Sequence, residues 1–152
     1  MRITRITRKT TKKLLIELSI EYNVRLHFFE GKKQEVDGDA RYWNNSISVR
    51  YNQSPINMIS TFFHEVGHIY CWRKKIWKSY HINKSIDDLT KDEKRKYVLT
   101  ALKAERWVEK WAKKEMKKHF TGIKYIAGYS DKLSGEEFSK YVKEMMYGKN
   151  RR

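Results

Sequence analysis

A single cysteine, Cys71, and a single proline, Pro55, stand in a chain of 152 residues. One thiol builds neither a disulfide framework nor a cluster of thiolate ligands, and it fits a reducing, cytoplasmic setting. With only seven glycines, no proline- or glycine-rich linker divides the chain, and no repeat or low-complexity stretch does. The chain reads as one domain over residues 1–152. No apolar run approaches the roughly 20 residues that a membrane-spanning helix needs. The opening Met1-Arg2-Ile3-Thr4-Arg5 lacks the apolar core of a secretory signal. Acidic residues are scarce: 18 Asp and Glu face 34 Lys and Arg, a net charge of +16.

What is present excludes a disordered tail. The apolar fraction is 39% and the aromatic fraction 14%, enough to build a core at this length. The charge suits nucleic acid or an acidic partner, and equally a solvated lysine-rich surface.

Residues 1–9 are basic and weakly patterned, which predicts a mobile start. A helical stripe follows at Leu14, Leu15, Leu18 and Tyr22, with Asn23 able to close the helix. Val24 to Phe29 reads as a strand. Ala40–Trp43 and Ser46–Tyr51 flank Asn44-Asn45 and predict a tight hairpin. Ser54-Pro55 marks a helix start, Ser54 as N-cap and Pro55 in the first turn, running to about Trp72. Its buried face is Ile59, Phe62, Phe63, Val66, Ile69 and Tyr70. After a polar connection, Thr90-Lys91-Asp92-Glu93 forms a capping box opening a long helix to about His119. Ser134-Gly135-Glu136-Glu137 is a second such box, opening a short helix to about Tyr147. The expected class is α+β, with a small antiparallel or mixed sheet packed on the middle helix and the long one.

The middle helix holds His64-Glu65-Val66-Gly67-His68. Two histidines four apart stand on one helical face and can share one Zn²⁺. Glu65 can reach a metal-bound water as general base. This pattern arises by chance in a chain of this length on the order of a few times per thousand. Gly67 weakens a helix interior by about 0.8–1.0 kcal/mol relative to Ala, which predicts a packing or access reason for it.

A catalytic site needs a third protein ligand. Glu105 is favoured, because it interrupts the apolar face Val98, Ala101, Leu102, Val108, Ala112, Met116, where a carboxylate is costly unless paired or metal-bound. Glu109, one turn on, can accept the other ring N–H of a ligand histidine. His81 is a second candidate for the third ligand. Cys71 is a third, and would make a structural site of poor geometry. Tyr80, His81 and Tyr129 are candidate donors to a tetrahedral oxyanion. The Ser46–Tyr51 strand is read either as an exposed edge able to pair with an extended substrate or as ordinary sheet core. The aromatics Trp72, Trp77, Tyr80, Trp107 and Trp111, at helical spacing, are read as core or groove lining.

The two motifs, His64-Glu65-Val66-Gly67-His68 after Phe62-Phe63 and Glu105-Arg106-Trp107-Val108-Glu109 downstream, resemble a minimal gluzincin metallopeptidase of the ImmA/IrrE-like family and its phage relatives. The resemblance implies that His64, His68 and Glu105 bind zinc, that Glu65 is the base and that Glu109 supports a ligand. It departs from the family at Val108-Glu109, where Ala-Asn is usual, and no helix-turn-helix module accompanies the domain. The expected function is zinc-dependent hydrolysis of a peptide bond in a protein substrate. Two alternatives stand beside it: a SprT-like, DNA-associated metalloprotease using His81, and a non-enzymatic basic nucleic-acid-binding domain with structural zinc or none.

Overall fold

The computed structural model describes residues 7–31, 37–75 and 88–126. Among these, three helices and a three-stranded mixed sheet make an α+β arrangement. Helix α1 spans Arg8–Glu21 and is capped by Thr7, whose hydroxyl accepts from the Thr10 amide. Arg8 and Lys9, expected in a mobile start, therefore belong to the helix, and the Arg8 Nε donates to the Gln53 carbonyl. Asn23 ends the turn after α1 at φ 55°, a backbone region asparagine tolerates.

Strands β1 (Arg25–Phe29), β2 (Gly38–Arg41) and β3 (Ser46–Arg50) assemble in the order β1-β3-β2. β1 runs parallel to β3, with Leu26 opposite Ile47, and β2 runs antiparallel to it, with Ala40 opposite Ile47. One open alternative is decided here and one expectation changes. β3 is the central strand, not an exposed edge. The hairpin is wider than a two-residue turn: the strand before it is Gly38–Arg41 rather than Ala40–Trp43, and a 3-10 turn at Tyr42–Asn44 precedes Asn45 at φ 57°. Ser46 and Arg50 are buried, and the Arg50 guanidinium meets Asp37 at 2.7 Å.

Helix α2 (Pro55–Arg73) is the hub. It packs against α1, β2, β3 and α3, and Met58, Ile59, Phe62, Phe63, Val66 and Ile69 are buried along it. Ser54 caps its start by accepting from the Asn57 amide. At its far end Arg73 donates to the carbonyls of Tyr22 and Asn23 and to the Asn45 side chain. Helix α3 (Lys91–His119) begins at the expected capping box, Thr90 and Glu93. Its apolar face, from Val98 to Met116, is buried as anticipated.

Gly67 has a packing role. A Cβ there would lie 2.9 Å from Val108 Cγ1 and 3.2 Å from Trp111 Cε3. The absent side chain lets α2 and α3 approach at the level of the histidines. No helix among the described residues is long and apolar enough to cross a membrane.

Candidate metal centre

α2 supplies the two imidazoles and α3 the carboxylates. His64 Nε2 and His68 Nε2 are 3.1 Å apart. Glu105 Oε1 is 3.1 Å from His68 Nε2, and Glu105 Oε2 is 3.4 Å from His64 Nε2. His64, His68 and Glu105 thus form a group able to hold a metal ion, and each can offer one ligand atom. With one ligand atom taken from each residue, the three atoms lie within 4.8 Å of one another, wider than the spacing of about 3.3 Å between ligands of a tetrahedral ion, so the carboxylate would have to draw in on a bound metal. Glu105 Oε2 is buried and meets His64 Nε2 at ion-pair distance without good hydrogen-bond alignment, so the donor set fits a cation between the two helices. Two imidazole nitrogens and one carboxylate suit zinc or a neighbouring transition metal better than calcium or magnesium.

The second ring nitrogen of His64 is also engaged. Its Nδ1 lies 2.8 Å from Glu109 Oε1, which leaves Nε2 facing the shared position. Glu109 is itself buried, a placement costly for a carboxylate without a partner. Burial works against a charged His64 ring, but hydrogen bonds to Glu105 and Glu109 outweigh it and push its pKa up to about 10. Burial also disfavours the Glu105 carboxylate. Hydrogen bonds to His64 and His68, with the charge on both rings, hold it well below the usual carboxylate range. Without metal the cluster stores a proton on His64. A metal ligand must be neutral imidazole, so binding a cation releases that proton.

Glu65 is buried beside this group. Burial raises its pKa, and the His68 and His64 charges oppose the rise. The outer strand β2 approaches it closely: a Cβ on Gly38 would lie 2.5 Å from Thr61 Cγ2 and 3.0 Å from Glu65 Cγ. Only glycine lets the strand lie this near α2.

Set against known protein families, curated proteins and solved structures, the chain matches none of them.

The geometry thus brings together five of the residues singled out in the sequence: His64, Glu65, His68, Glu105 and Glu109. Cys71 is not among the grouped donors. It is buried against Ala104, Val108 and Trp107 in a separate apolar cluster. Trp107 and Trp111 stack on each other, and Trp111 stacks on Tyr70, so these two rings line the core as expected; Trp72 instead is exposed, stacked on Tyr42, and Trp77 lies outside the described residues. Tyr80, His81, Tyr129 and the second capping box at Ser134 lie outside the described residues.

One residue near the site escaped the sequence reading. Tyr125 Oη lies 3.5 Å from His64 Nδ1. After α3 the chain turns back along α2, and the Ile126 amide donates to Ser60 Oγ. Ile123 and Tyr125 pack on the main core. No local motif announces such a return; Gly122, at φ 83°, is its only local sign.

Proposed function

We propose that the chain is a zinc-dependent metallopeptidase that hydrolyses a peptide bond in a protein substrate. The observation that carries this reading is the convergence of Glu105, from a helix about 40 residues downstream, on the two Nε2 atoms of His64 and His68. It weighs toward a carboxylate third ligand over the His81 alternative.

His64, His68 and Glu105 would hold the metal, and three protein ligands leave a fourth position for water or substrate. Bound zinc would supply Lewis acidity, activating water near neutral pH and polarising the scissile carbonyl. Glu65 is the residue placed to take a proton and return it to the leaving amine. Its burial raises its proton affinity, which suits a carboxylate that must take a proton before handing it on. Glu109 fixes the His64 ring by accepting from Nδ1–H. The outer strand β2, rather than the central β3, is the edge along which an extended substrate would add, because its first residue lies against Glu65.

The deciding experiment compares Glu65→Gln, Glu105→Gln and His81→Ala in the full chain. Metal analysis should find one zinc per chain in the parent, in Glu65→Gln and in His81→Ala, and little in Glu105→Gln. Cleavage of a proteome-derived peptide library should fall at least 10²-fold in Glu65→Gln. Full metal in Glu105→Gln, or undiminished cleavage in Glu65→Gln, would overturn the proposal.

A further inference from the structure

The face of α3 turned away from the metal centre carries its own pattern. Between Arg95 and Lys118 every exposed residue except Leu99 is Lys or Arg. The carboxylates in this stretch are segregated from that face. Glu105 and Glu109 point to the histidines, and Glu115, mostly covered, lies 3.0 Å from Lys118. Lys103, Arg106, Lys110, Lys113 and Lys117 recur at alternating steps of three and four, so they form one straight stripe along the helix.

A helix that is merely solvated interleaves acidic and basic residues one turn apart. Here Arg106–Lys110, Lys110–Lys114 and Lys113–Lys117 are like-charged pairs one turn apart, and each weakens the helix by itself. The helix dipole favours cations in the last turn, which accounts for Lys117 and Lys118. Arg106, Lys110 and Lys113 lie too far from the C-terminus for that explanation.

We infer that this face of α3 docks on the phosphate backbone of a nucleic-acid duplex. A row of cations on a rigid rod binds a polyanion by releasing its counterions. The stripe carries no exposed ring on which unpaired bases could stack, since Trp107 and Trp111 are turned inward and stacked on each other, so it suits a duplex over a single strand. A lipid surface would need the apolar face of the helix, and that face is buried in the protein. The duplex would lie on residues other than those that meet the histidines, and the inference does not depend on the proposed activity.

The test measures binding of a 20-base-pair duplex by fluorescence anisotropy across a salt series. The triple variant Arg106→Gln, Lys110→Gln, Lys113→Gln is compared with Lys9→Gln, Lys13→Gln, Arg25→Gln, which removes the same charge from exposed positions outside α3. The α3 variant should bind at least tenfold more weakly, with the slope of log affinity against log salt reduced by roughly 2 to 3. The control should lose less than threefold. In the parent chain, bound duplex should protect Lys110 and Lys113 from acetylation and leave Lys9 and Lys13 reactive. Equal loss in the two variants, tighter binding of the unpaired strand, equal competition by polyglutamate or absent protection would each overturn the inference.

Discussion

Glu109 Oε1 stands 2.8 Å from His64 Nδ1, one turn of α3 beyond the carboxylate that meets His64 Nε2. One imidazole is thus gripped at both nitrogens by the same helix. Replacing Glu109 with Gln keeps an acceptor and removes the charge; Ala removes both. Zinc affinity, measured by competition with a chromogenic chelator, should fall about tenfold in Glu109→Gln and nearer 100-fold in Glu109→Ala.

Gly67→Ala sets helix propensity against packing. Alanine adds about 1 kcal/mol of helix preference. The new methyl must displace Val108, a fully buried residue of the β-branched kind that is stiff at χ1 in a helix, at about 1–3 kcal/mol. The variant should melt lower than the parent. Parting α2 from α3 also draws Glu105 away from the histidines, so zinc affinity should drop at least tenfold. A higher melting temperature with undiminished affinity would contradict the assigned role.

The metal-free protein should lose stability as pH rises. The folded pKa of His64 is raised from 6.5 to about 10. Its contribution is therefore complete below pH 6.5 and is lost as pH climbs through about 10. Glu65, also raised, works in the same direction. Glu105 is lowered, so its contribution holds above its unfolded value of 4.5 and is lost under acid. Melting curves in chelator should show the alkaline decline. Saturating zinc should flatten it, because the metal has already displaced the His64 proton, and should steepen the acid limb.

Cys71 should be nearly inert in the native state. Burial first, then the Glu105 charge, pushes its thiol from 9.0 up to about 11. Two units mean roughly 100-fold less thiolate at pH 8. Labelling by a thiol-disulfide reagent should be at least that much slower in the native chain than in urea.

The legible parts of the fold were those coded locally. Ser54-Pro55 and the Thr90–Glu93 box place the starts of α2 and α3, because a cap is a contact within one turn. Glu105 was legible because a carboxylate interrupts an otherwise apolar stripe. What escaped depends on distant partners. The burial of Arg50 rests on Asp37, which lies outside its own strand. Gly38 carries no local signal, since its need for space comes from Thr61 and Glu65 on another element. Tyr125 reaches His64 only through the return of the chain along α2.

The grip of Arg73 on Tyr22, Asn23 and Asn45 bears on how α2 sits about its own long axis. A helix buried on several sides by smooth apolar rings could slip in azimuth by several degrees. A guanidinium tied at its last turn to three separate points of the preceding chain resists that rotation. Hydrogen bonds lying beyond the last histidine therefore help to hold the azimuth of both imidazoles, independently of any cation.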